Sequence, residues 1–314
     1  LNGSEAKEML TATKKKLISE QRSLLKRRFF SNNSMMIGLI ILSFLIIICL
    51  VGPSITSYTP FEMDVEKRLN GPNSTYLLGT DNYGRDLLTR IIYGARVSMG
   101  VGFLVAFITS VLGVIMGLYA SYYKALDHIL MRISDGLIAI PGILFAIALM
   151  AALGPRTENV VLALSIVFTP YVARVVRSAA LVVKEQTYIE AMKAQGASST
   201  RIIWRHIAPN VLSPLIVQAT FIFADTIITE AGLSFLGAGV PTPNPSWGNI
   251  LYDGKLVIFN AWWMTVFPGI MIIMAVIGLN LLGDGIRDIM DPHYKKIRFK
   301  KAFRLKLNRG EKND

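Results

Sequence analysis

The 314-residue chain is 52% hydrophobic and only 17% charged, with a mean hydropathy of +0.46, which is too apolar for a water-soluble protein of this length. A net charge of +12 suits nucleic acid by its sign, but the basic residues are interleaved with long apolar runs and act as a topology signal instead. The single cysteine, Cys49, lies inside an apolar run, which excludes an intramolecular disulfide framework, and His128, His206 and His293 are too scattered for a metal cluster.

Residues 1–34 form a basic tail with eight Lys or Arg, directly ahead of the apolar run from Met35 to Val51. This is the kind of positive flank retained in the cytoplasm. No small-residue cleavage site follows the run, so it is expected to be an uncleaved first span. A polar outer loop follows over 52–96. In it Leu87, Leu88, Ile91 and Ile92 fall at helical spacing and predict a short amphipathic helix on the outer membrane surface, after a turn at Asn82 to Gly84. Further spans are expected over 97–120, 129–153, 160–183, 211–235 and 262–282. That makes six spans within 35–285, each near or above the about 20 residues a helix needs to cross a bilayer.

Pro141, Pro170, Pro214 and Pro268 fall inside these spans, where each removes a backbone donor and invites a kink. Gly113, Gly117 and Ala120 permit close approach of helices. Asp135, Asp225 and Glu230 also lie within spans, where an ionisable group is costly and marks either a pathway or a pairing between helices.

Between the fourth and fifth spans, the segment 185–214 carries Glu185, Glu190, Lys193, Arg201, Arg205 and His206 and is too polar for the hydrocarbon core. Its pattern is helix, stop, helix. Helix formers run from Tyr188 to Gln195, Gly196 suits a C-terminal cap, Ser198 or Ser199 can cap a second helix, and Pro209 limits it. On the opposite side lies an outer loop, 237–261, in which the segment from Pro241 to Trp247 cannot be helical and presents a rigid, Trp-bearing surface to a soluble partner. A basic tail, 286–314, ends the chain. With the N-terminus inside, inner segments and adjoining span ends hold 26 Lys or Arg and outer segments hold 7, so both termini and the polar segment are expected to be cytoplasmic.

No phosphate-cradling loop is present: Gly254-Lys255 is followed by Leu256, with no Gly at Walker A spacing. No Ser-His-Asp or paired-carboxylate site is legible either, so no catalytic residue is assigned and energy has to come from a partner or a gradient.

Glu190, Ala191, Gly196, Ile207 and Pro209 resemble the cytoplasmic "EAA" loop of ABC importer permeases, spanning 185–210 here, with Met192 and Ala208 as conservative departures. Leu78 to Asp81 with Gly84, Arg85 and Asp86, then Gly94 to Arg96, is similar to the first outer loop of the peptide/nickel group, in the second of its two permease subunits. Gly232 to Leu251 and Asn280 to Pro292 resemble further signatures of the same subunits. The resemblance implies an all-α, six-helix type I ABC importer transmembrane domain whose loop is a coupling helix. Implied partners are a homologous second permease, two cytosolic ATPases that bind ATP and Mg, and an external binding protein. The implied setting is a bacterial cytoplasmic membrane, and the implied cargo is di- or oligopeptides, with nickel or a metal chelate as the alternative. A gradient-driven carrier is the rival class, but no internal repeat supports it. Near the passage that the family's permeases enclose, Glu230, one turn before Ser234, is expected to face the path. Asp225, about 140° away around the helix, is expected to pair with a neighbouring helix. Pro243, Pro245 and Trp247 are the candidate contacts for the binding protein.

Overall fold

The computed structural model describes residues 29–290 and Ser23. Most of the basic N-terminal tail, all of 291–314 and Pro292 of the C-terminal signature therefore lie outside the described residues. The described chain is built from helices: α1 (Asn33–Ile55), α2 (Leu87–Tyr122), α3 (Lys124–Ala139), α4 (Gly142–Leu153), α5 (Thr157–Lys184), α6 (Thr187–Ala194), α7 (Ser199–Ile202), α8 (Ala208–Phe235), α9 (Trp247–Lys255) and α10 (Trp263–Met290). Among the described residues five helices are long and apolar enough to cross a membrane, and α3 with α4 make a sixth if the bent pair counts as one span.

Two expectations are corrected. The outer amphipathic helix is not separate: Asp86 caps α2 by accepting from the Thr89 N–H at 2.8 Å, and the helix then runs unbroken for 36 residues. Leu87 and Ile91 are buried against α9 and α10, not spread on a membrane surface. The third span is not one rod either, since α3 and α4 meet at 93°. Pro141 forces Ile140 out of the helical region, to φ −88° and ψ 130°. Pro170, Pro214 and Pro268, by contrast, sit inside continuous helices.

Helix α2 is the central strut, packed on α5 along its length and on α8. Gly113 and Gly117 set the α2–α5 distance, because a Cβ on Gly117 would stand 2.6 Å from the Ala173 carbonyl oxygen. Helix α3 is tied to α5 by ion pairs: Arg177 Nε lies 2.5 Å from Asp127 Oδ1, and Arg174 Nη2 lies 2.5 Å from Asp135 Oδ1. Helix α1 lies along α10, which lies on α8. The segment 185–207 closes one end of the bundle, here called the hook end; the loops 56–86 and 236–262 close the far end.

Candidate functional site

The hook is held by isoleucines. Ile189 of α6, Ile202 of α7, and Ile203 and Ile207 beyond it are all fully buried, in one cluster with Leu118 of α2, Val172 and Val176 of α5 and Val211 of α8. Helix α6 ends in a Schellman turn: Ala197 N–H donates to the Met192 carbonyl and Gly196 N–H to the Lys193 carbonyl, both at 3.0 Å. Gly196 stands in the left-handed region at φ +79°, which a residue with a side chain rarely adopts. Ser198 occupies the N-cap position of α7 without a side-chain bond to it. Lys184 reaches back to the C-terminal carbonyls of α2, donating to Ser121 O at 2.7 Å and Tyr122 O at 3.2 Å. With one face pinned, Tyr188, Glu190, Ala191, Gly196 and Pro209 are left on the exposed surface.

Pro209 does not limit the second hook helix. A π-helical turn over Ile203–Ile207 joins α7 to α8, with Ala208 N–H bonded to the Ile203 carbonyl five residues back. The widened turn accommodates the proline ring in the first turn of α8, where its missing N–H costs little. The second hook helix and the fifth span are therefore one continuous stretch of helix, Ser199–Phe235.

Of the two carboxylates of α8, Glu230 does not lie on an exposed face as expected. Glu230 is fully buried and points into the chain: its Oε2 accepts from Ser98 Oγ of α2 at 2.9 Å and its Oε1 from Ser234 Oγ at 2.8 Å. The two hydroxyls accept in turn from the backbone of the far-end loop, Ser98 from Trp247 N–H at 3.2 Å and Ser234 from Val240 N–H at 3.0 Å. One carboxylate thus fastens the loop to two spans. Asp225 is the exposed one, pairing with no neighbouring helix among the described residues.

Trp247 is likewise not a surface anchor. It is fully buried, donating from Nε1 to the Ile91 carbonyl at 3.2 Å, and Pro245 is buried beside it. Ser246 and Asn249 form a capping box that starts α9, and Gly248 lets α9 lie where any Cβ would stand 2.7 Å from Ala231 Cα. Of the three loop candidates only Pro243 is exposed.

The far-end loops also hold a charged knot that the sequence reading did not assemble. Asp81 Oδ2 lies 2.6 Å from Arg85 Nε and 3.4 Å from Arg90 Nε, and Asp253 Oδ2 of α9 lies 3.4 Å from Arg85 Nη2 and 3.9 Å from Arg90 Nη2. Asp81 Oδ1 accepts from the backbone of Tyr83 and Arg85 at 2.8 and 3.0 Å. Burial pushes the Asp253 carboxyl up, against the pull of the Arg90 and Arg85 charges. Trp263 Nε1 closes the knot by donating to the Thr80 carbonyl at 3.0 Å. The i,i+4 spacing of Asp81 and Arg85 was its one local signal; Arg90 and Asp253 are far apart in sequence and gave none.

Residues 109–296 match the family described as the binding-protein-dependent transport system inner membrane component, and residues 22–72 match the N-terminal TM domain of oligopeptide transport permease C. A putative peptide transport system permease protein of Brucella suis biovar 1 is 46% identical over 259 residues, covering 82% of this chain and 88% of that protein. The dipeptide transport system permease protein of Alkalihalophilus pseudofirmus is 44% identical over 260 residues, covering 82% and 86%. The fold is similar to the inward-facing MetNI methionine ABC transporter, with TM-score 0.55 over 64% of this chain and 97% of that chain, at 21% identity.

Proposed function

The chain belongs to the family of binding-protein-dependent transport system inner membrane components, and on that premise we propose that it is one of two related permease subunits of an ATP-driven importer of peptides. The chain itself binds no nucleotide; ATP and Mg are bound by two cytosolic ATPases, and an external binding protein delivers the cargo. The hook and both termini are cytoplasmic, the reading supported by the 26-to-7 distribution of basic residues. The observation that carries the coupling role is the two-sided hook: a face of buried isoleucines rooted among three spans, and an opposite face bearing Glu190 that nothing in the described chain covers. ATP-dependent accumulation of a labelled dipeptide by proteoliposomes holding the complete complex tests the reading, and failure to accumulate any di- or oligopeptide sinks it.

Two substitutions test the hook. Glu190→Ala is expected to weaken co-purification of the ATPases by about 1 to 3 kcal/mol, the range for a lost charged hydrogen bond, with membrane insertion unchanged; ATPase recovery equal to wild type would show that Glu190 makes no contact there. A Cβ at Gly196 would meet no neighbouring atom, but Gly196→Val places a β-branched residue at positive φ, a strain of about 1 to 2 kcal/mol or more. It is expected to lower peptide uptake per ATP hydrolysed. An unchanged ratio would mean that the turn's geometry plays no part in coupling.

A further inference from the structure

The two carboxylates of α8 differ in what satisfies them. Glu230 has Ser98 and Ser234. At Asp225 only the backbone carbonyl is engaged, by Thr229 Oγ1 at 2.7 Å, and among the described residues no charged group acts on the side chain. An ionised carboxylate without a cation is expensive at membrane depth, so the face it occupies has to meet water or positive charge.

The surroundings distinguish this face from those that meet lipid. Between residues 35 and 53 the exposed positions of α1 are apolar apart from Ser43, and between 263 and 283 those of α10 are Val266, Ile270, Ile273 and Ile277, all apolar. Around α8, Gln218 and Thr229 stand about 20° and 40° from Asp225 on the helical wheel, and none of the three is buried. Towards the hook end, Gln218 and Phe221 open onto a cleft of about 450 Å³ whose rim carries Arg287. Ile228, about 60° from Asp225, is exposed as well, but polar side chains run along this face towards the cleft, and that sets it apart from the middle of α1 and α10.

We propose that Asp225 is a substrate site, where the carboxylate binds the protonated amino terminus of a peptide in transit while Gln218, towards the hook end, meets its amides. This rests on the importer reading above. An α-amino group titrates near pH 8 and is cationic at neutral pH, and its bond to a carboxylate is charge-assisted and strengthened where water is scarce. Gln218 lies about 10 Å along the helix from Asp225, the length of about three extended residues, so the stripe matches a di- or tripeptide lying parallel to α8. A basic side chain of the second permease is the competing occupant and would make Asp225 a strut of the assembly.

The test uses the two permeases with their ATPases, purified without the binding protein and titrated calorimetrically with Ala-Ala and with N-acetyl-Ala-Ala. Wild type is expected to bind Ala-Ala at least tenfold more tightly than the acetylated form. Asp225→Asn is expected to raise the Kd for Ala-Ala at least tenfold and to lose the preference, whereas Asp225→Glu keeps the Kd within threefold. Equal binding by Asp225→Asn and wild type overturns the proposal. So does a wild-type complex that binds neither peptide, and so does an Asp225→Asn complex that assembles poorly yet binds Ala-Ala normally. ATP-dependent uptake by the wild-type complete transporter is measured alongside: its loss removes the importer reading, while its presence with unaltered binding by Asp225→Asn removes the Asp225 site alone.

Discussion

Asp81→Ala is expected to destabilise the permease by about 3 to 5 kcal/mol, the range for breaking a buried ion pair from one side. Asp81 stands between two guanidinium groups, 2.6 Å from Arg85 and 3.4 Å from Arg90, with all three side chains no more than 3% exposed. Without it Asp253 alone faces two positive charges, at 3.4 and 3.9 Å, and the Tyr83 and Arg85 N–H groups lose their acceptor. The loss should appear as a lower melting temperature and a lower monodisperse yield in detergent. Lys67→Ala, at the exposed Asp64–Lys67 pair, should leave both unchanged. If the two variants behave alike, the knot contributes nothing beyond a surface pair.

Trp247→Ala is expected to cost about 3 to 5 kcal/mol, as for other fully buried large aromatics, and to free the far-end loop from α2. The indole fills the space against Ala95 and Ala224 and donates to the Ile91 carbonyl. Unfolding in mixed micelles measures the loss, while the folded fraction should bind the external protein as the wild type does. A variant that melts with the wild type but no longer recruits the binding protein would restore Trp247 as a contact residue.

Hydropathy located the spans and the hook, because runs of about 20 apolar residues have few alternatives in a chain this greasy. Most of what it misjudged turned on partners distant in sequence. The spacing of Leu87, Leu88, Ile91 and Ile92 made the start of α2 look like a surface helix, but the charge of Arg90 among them is answered by Asp81 and Asp253, and Asp253 lies in no local window. Trp247 looked exposed because prolines surround it; the Ser246–Asn249 capping box was in plain view, yet the Ile91 carbonyl it bonds lies 156 residues away. The angular separation of Asp225 and Glu230 was readable from helical geometry, whereas which of them turns inward depended on Ser98, 132 positions from Glu230. At Pro209 the local rule itself failed, because a π-helical turn supplies a geometry that neither helix nor stop describes.

That turn joins the second hook helix and the fifth span in one continuous helix. At 1.5 Å per residue, the 37 residues from Ser199 to Phe235 amount to a lever roughly 55 Å long. Pivoted where the isoleucines grip its near end, a lean of about 5° sweeps the other tip through about 5 Å by simple trigonometry on that length. The tip cannot travel alone, because Glu230 and Ser234 tether Val240 and Trp247 to it. A displacement at the hook end would therefore reach the far end as a shift of the loop that Glu230 and Ser234 hold, provided that the π-helical turn and Pro214 do not bend first.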